Sequence, residues 1–179
     1  VLHAARTTPD RQVARAKAEG WTYDGSQATE WEVLELIHGL IRVVKPSIVV
    51  ETGTFSGMGA QAIAAALARN QAGHLWTIEI NDNEYPPTER VTFVRGDSVE
   101  WSKDGCPDSI DMAWVDCGPP DVRIEVFGNL LAKMKPGGLI LCHDLWFYEE
   151  SFYEALCAAA GKPAALRFPA LNGVGIWEA

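Results

Sequence analysis

The stretch Lys45-Pro46-Ser47-Ile48-Val49-Val50-Glu51-Thr52-Gly53-Thr54-Phe55-Ser56-Gly57 decides the architecture. Pro46 closes the helix before it, because proline offers no N–H and clashes with the preceding turn. Ser47 to Glu51 is apolar without alternation, as in a parallel strand covered on both faces. Thr52 to Gly59 is a glycine-rich turn, and an alanine-rich helix follows from about Gln61 to Arg69. Strand, glycine turn and helix together open an α/β unit, whose ligands bind beyond the carboxyl ends of the strands.

Working outward, Val33, Leu34, Ile37, Leu40, Ile41 and Val44 recur at helical spacing from Glu30 onward. Downstream, His74–Glu79, Val91–Arg95 and Ile110–Asp116 read as strands, the first and third ending in an acid. Val122 to Met134 has helical spacing, Pro136-Gly137-Gly138 ends it, and Leu139–His143 is the fifth strand, with Asp144 just beyond. A helix from about Glu149 to Ala160 precedes two last strands, near Leu166–Phe168 and Val174–Trp177. Alternating strands and helices predict a mostly parallel α/β sheet. Only ten residues, Asn81 to Arg90 with Pro86 and Pro87 among them, separate the second and third strands. That is short for a crossover helix, as is the span from Arg95 to Ile110, so short connections or single turns are predicted in place of full helices.

A chain of 179 residues fits one domain. Its 24 acidic and 15 basic side chains give a net charge of -9, which argues against nucleic-acid or anionic-membrane partners. Arg6, Arg11 and Arg15 form the one basic cluster worth noting. No apolar run approaches a membrane span, and no signal peptide is recognisable. Cys106, Cys117, Cys142 and Cys157 lack CxxC spacing, so reduced thiols and a cytoplasmic location are expected.

The glycine turn admits three ligand readings. A dinucleotide loop wants G-x-G-x-x-G, but Phe55 stands at the second glycine position; a P-loop wants Gly-Lys-Ser/Thr, which is absent. The third is an adenosyl ligand bearing an amino-acid carboxylate, which suits a wider loop. Gly53 and Gly57 would allow close backbone approach, and the next helix N-terminus offers free N–H groups. Glu79 could take both ribose hydroxyls, and Asp97-Ser98 could bond an adenine edge. The bland alternative is that the glycines only shape a turn.

On these residues the chain resembles the class I S-adenosylmethionine-dependent methyltransferases. Within them it looks most like the catechol and caffeoyl-CoA O-methyltransferase branch and related small natural-product or sugar O-methyltransferases. Lys45 to Gly57 is similar to that branch's first motif, Glu79 to its ribose-binding acid, and Gly96-Asp97-Ser98 to its adenine-side motif. Asp116, Lys135-Pro136-Gly137-Gly138, His143-Asp144 and Gly173-Val174-Gly175-Ile176-Trp177 fall at its later motifs. The resemblance implies a Rossmann-like seven-stranded sheet of order 3-2-1-4-5-7-6 with the last strand antiparallel. Residues 1–29 would be a lid or arm, containing Trp21, Tyr23 and Thr29, and residues 30–179 the core. It implies S-adenosylmethionine as cofactor, held by Glu51, Gly53, Thr54, Phe55, Ser56, Gly57, Glu79, Asp97, Ser98 and Asp116.

The implied reaction is methyl transfer to a hydroxyl of a small molecule, with Asp116, His143 and Asp144 as catalytic residues. In the catechol-type branch a divalent metal activates the acceptor, so Asp116 and Asp144 are candidate ligands for Mg²⁺. Leu145 stands where that branch carries a third ligand, asparagine, and His143 precedes the acid. His143 is therefore a third ligand or a general base beside a metal, or without a metal the base that alone takes the proton, its ordinary pKa of about 6.5 suiting that role; a structural histidine at a strand end is the bland alternative. Pro119 stands where the branch has a catalytic lysine. Arg123 reads as a solvated helix-start residue, with contact to an anionic group as the alternative. Trp146, Phe147 and Tyr148 read either as an aromatic wall for the acceptor or as core. Two rival functions are a metal-free N-methyltransferase and a non-catalytic cofactor-fold binding module. Without a cap insertion, the acceptor pocket is expected to come from the N-terminal segment, short loops or the second subunit of a homodimer.

Overall fold

The computed structural model describes residues 9–23, 29–82 and 89–179. Arg6, the Asp24–Gln27 stretch and the Pro86-Pro87 pair lie outside the described residues. Seven strands form one sheet in the order β3-β2-β1-β4-β5-β7-β6. They are β1 (Ile48–Thr52), β2 (His74–Glu79), β3 (Val91–Arg95), β4 (Ile110–Val115), β5 (Met134–His143), β6 (Leu166–Phe168) and β7 (Val174–Glu178). The pairs among β1 to β5 are parallel, and β7 runs antiparallel to both β5 and β6. The sheet expected from the resemblance is the one observed.

Successive side chains of a strand face opposite ways. Val49 therefore joins the core with Ile37, Ile41, Ile63 and Leu67, whereas Val50 joins Val126, Phe127, Leu130 and Trp177. The first layer is α2 (Trp31–Val44) and α3 (Met58–Asn70), and the second is α5 (Pro120–Leu131) and α6 (Glu150–Ala160). Two short pieces fill the span between β3 and β4: a three-residue helix, α4 (Ser98–Glu100), and a π-helical turn (Trp101–Gly105). The shortened connection expected there is present.

Helix α1 (Pro9–Glu19) adds an element that periodicity does not reveal. Among the described side chains of this charged helix Ala16 is the fully buried one, packed with Trp21, Tyr23, Trp31 and Leu34. The boundary expected at Met134 also moves. Helix α5 ends at Leu131, Met134 already pairs with Ile110, and the Pro136-Gly137-Gly138 turn lies inside β5 where the register shifts. Gly137 takes φ 81°, and a Cβ on Gly138 would come within 3.0 Å of the Ile110 carbonyl oxygen. The glycines accommodate a strand irregularity rather than a helix end. Among the described residues no helix is long and apolar enough to cross a membrane.

Candidate active site

A cavity of about 530 Å³ opens at the carboxyl ends of β1, β2, β4 and β5. Parallel pairing sets Glu51 beside Thr77 on one side and Trp114 on the other. Thr77 Oγ1 donates to Glu51 Oε2 at 2.5 Å, and Thr54 Oγ1 completes the chain at 2.5 Å from Thr77 Oγ1. With the Thr77 proton committed to Glu51, Thr54 is the donor in that second bond. Glu51 is 1% exposed. Burial, against the Thr77 bond and with help from Asp116 and Glu79, pushes its carboxyl up to about 8.

The turn after β1 is held by backbone necessity. Gly53 has φ 87°, and a Cβ there would collide with the Asp116 carbonyl oxygen. Phe55 is left-handed at φ 44°, with its side chain 60% exposed at the cavity. Its N–H donates to Glu79 Oε2 at 2.7 Å. Glu79 Oε1 accepts from Ile80 N, Asn81 N and Asn81 Nδ2. Glu79 thus clasps the glycine turn to the end of β2 and, itself lining the cavity, keeps further acceptor capacity on Oε2. Asp97 caps α4, its Oδ1 accepting from Val99 N and Glu100 N, and lines the same cavity beside Ser98.

At the β4 and β5 ends, Asp116, His143 and Asp144 converge, with ligand atoms all within 4.8 Å of one another. The expected cluster therefore forms, but its atoms are already engaged. Arg123 Nη2 lies 3.3 Å from Asp116 Oδ1 and 3.0 Å from Asp144 Oδ2. His143 Nδ1 lies 3.2 Å from Asp116 Oδ2 and 3.5 Å from Asp144 Oδ1. Nε2 of the same ring lies 2.7 Å from Glu30 Oε2. Burial alone would lower the His143 pKa, but Asp116, Glu30 and Asp144 raise it to about 10. Both ring nitrogens are thus engaged by carboxylates, which favours the protonated imidazole, whereas a ligating imidazole must be neutral. Burial would raise the Glu30 carboxyl, but the His143 bond and charge, with the Asn172 N–H, hold it below its ordinary value. As they stand, these donors do not fit a divalent ion.

Two residues of this network are not evident from the sequence. Arg123 is 5% exposed, not a solvated helix-start residue. Glu30, the N-cap of α2, carries no sequence signal, because its partner lies 113 residues away. The signal for Arg123 is the Pro119-Pro120 pair, which starts α5 and sets Arg123 one turn into it. Of the expected lid residues, Thr29 lines the cavity, whereas Trp21 and Tyr23 are buried against Trp31. Trp146 and Phe147 are 41% and 69% exposed. Tyr148 packs under Arg123, its ring centre 5.5 Å from the guanidinium carbon, and borders a separate shallow groove with Phe152. These three aromatics are not part of the cavity lining.

The sheet order and a cavity walled by strand-end acids define a class I methyltransferase fold. The sequence profile of a methyltransferase domain family matches residues 50–145, and the chain belongs to that family. It is an S-adenosylmethionine-dependent methyltransferase by class. Among solved structures, it resembles the methyltransferase PaMTH1 of Podospora anserina bound to S-adenosylhomocysteine, with 18% identity and a TM-score of 0.65. That match covers 94% of this chain and 87% of the other. The O-methyltransferase TomG of Streptomyces achromogenes, involved in tomaymycin synthesis and bound to S-adenosylmethionine, is 17% identical with a TM-score of 0.65, covering 93% and 86%. A putative caffeoyl-CoA O-methyltransferase from Staphylococcus aureus is 16% identical with a TM-score of 0.63, covering 99% and 95%. No curated protein matches the chain.

Proposed function

We propose that the chain moves the methyl group of S-adenosylmethionine to a hydroxyl of a small molecule, with Asp144 taking the hydroxyl proton. The observation that carries this reading is the placement of Asp144. Its carboxylate borders the cavity beyond β5 and is fixed by Arg123 on one oxygen and faced by His143 on the other. The O-methyltransferases of the same fold support a hydroxyl acceptor.

The cavity suits the cofactor on its own chemistry. Its volume lies within the range for a compact ligand. Glu79 offers an acceptor for ribose hydroxyls, and Asp97-Ser98 offers polar atoms at the next strand end. Buried Glu51, whose charged form lacks a cation, suits the amino group of a methionine moiety. When bound, the cofactor supplies an electrophilic methyl group on a sulfonium. The chain's own work is to bind, to exclude water and to hold the acceptor oxygen in line; orientation of this kind supplies about 7–11 kcal/mol of a barrier. Asp144 accepts the proton as the oxygen attacks, a step worth about 10²–10⁴ in rate.

The test is methyl transfer to a panel of hydroxylated and amine acceptors, with calorimetric titration of S-adenosylmethionine alongside. Asp144→Asn should cut turnover about 10²-fold or more while cofactor affinity stays within a few-fold. Undiminished turnover would remove Asp144 from the chemistry, and turnover confined to amines would replace the hydroxyl reading.

A further inference from the structure

We propose that Arg123 is the resident cation of the Asp116–Asp144 pair and closes it to divalent metal, so that the site works without one. The guanidinium stands between the carboxylates that end β4 and β5, one nitrogen touching both. A hard ion would need those oxygens at about 2.0–2.6 Å, and Arg123 Nη2 already stands 3.3 Å from Asp116 Oδ1 and 3.0 Å from Asp144 Oδ2. The remaining two oxygens lie 3.2 and 3.5 Å from His143 Nδ1. Each of the four carboxylate oxygens thus already has an Arg123 or His143 nitrogen beside it.

Arg123 is not a passing visitor at this position. Its Nε donates to the Cys117 and Gly118 carbonyls at 3.1 and 3.0 Å, and Nη1 donates to the His143 carbonyl at 3.2 Å. Three backbone carbonyls therefore fix the fork from behind while Nη2 reaches the carboxylates. Lysine, a point charge on a flexible stem, could not reproduce this planar set of bonds. The position is also built from below, since α5 begins at Pro120 and Arg123 N bonds back to the Pro119 carbonyl. Within the cluster Arg123 and His143 thus stand between the carboxylates of Glu30, Asp116 and Asp144.

The closure of the cluster to ions is a property of the folded chain. Only its consequence for the chemistry rests on the proposed methyl transfer. The experiment reads ion binding first, by the electron paramagnetic resonance signal of free Mn²⁺ titrated with folded protein. The wild-type chain should leave the Mn²⁺ signal undiminished at millimolar ion. Arg123→Met, which keeps the stem and removes the charge, should gain a site that Asp144→Asn abolishes in the double variant. Wild-type turnover, once an acceptor is known, should be unchanged by EDTA. Stoichiometric Mn²⁺ binding by the wild-type chain, lost in Asp144→Asn, would overturn the proposal without need of any Arg123 variant. A folded Arg123→Met that gains no Mn²⁺ site would overturn it as well. So would turnover that chelation removes and Mg²⁺ restores. Failure to methylate any hydroxyl would leave the Mn²⁺ result standing and count against the acceptor reading alone.

Discussion

Glu30 and His143 lie 113 residues apart in the chain, and their side chains meet at 2.7 Å. The contact joins the N-cap of α2 to the last residue of β5, and Glu30 also accepts from Asn172 N just before β7. Three separate parts of the sequence are thereby tied behind the carboxylates that border the cavity. His143 is 1% exposed, so the pairing is shielded from solvent and from salt.

This pairing sets a pH dependence of stability. The His143 pKa in the folded chain, about 10, exceeds the ordinary 6.5, so folding favours its protonated form. The resulting stabilisation is full below pH 6.5 and is lost as the pH rises toward 10. Glu30→Gln removes one of the carboxylates that hold the proton. It should cost about 1–3 kcal/mol near neutral pH, and the loss of stability between pH 6.5 and 10 should be smaller than in the wild type. Urea unfolding at several pH values reads both. Parallel pH curves for the two proteins would reject the buried imidazolium.

Glu51 makes a second prediction about protons. Its carboxyl, at about 8, is largely protonated at pH 7 when no cation faces it. An ammonium group placed against it lowers that pKa, so binding of S-adenosylmethionine at pH 7 should release on the order of one proton. Calorimetry in two buffers of different ionisation enthalpy measures this release. Glu51→Gln should abolish it and weaken binding by roughly tenfold, the worth of a charge-assisted hydrogen bond. Release unchanged in Glu51→Gln would move the linkage to another group.

Gly53 is the third. At φ 87°, and with the Asp116 carbonyl oxygen where a Cβ would stand, no side chain fits unless the β1 turn or the β4 end shifts. Gly53→Ala should cost about 1–3 kcal/mol from the backbone conformation alone, with cofactor binding falling further because the turn and Asp116 move together. Thermal unfolding and titration of S-adenosylhomocysteine check the two effects. Native affinity in a folded Gly53→Ala would show that the turn does not need its close approach to β4.

The order of elements and the strand-end acids are legible in the sequence because they rest on local signals. Hydrophobic runs of strand length, the glycine turn after Glu51 and the acids at 79 and 116 each announce themselves within a few residues. Helix α1 is not legible because its buried face is one alanine, Ala16, among charges. The end of α5 is disguised because Pro136-Gly137-Gly138 has the composition of a helix stop, while pairing of Met134 with Ile110 makes it part of a strand.

The sequence by itself determined the class of fold and the residues at the strand ends, since periodicity and turn chemistry are properties of neighbours along the chain. Only the tertiary structure decided what those residues are to one another. A histidine that reads as a metal ligand or a general base has both its nitrogens taken up once Glu30 and Asp116 close on them. An arginine that reads as solvated becomes the partner of both aspartates once α5 carries it beneath them. Charge state and pairing depend on burial and on contacts between distant segments, and folding alone brings those together.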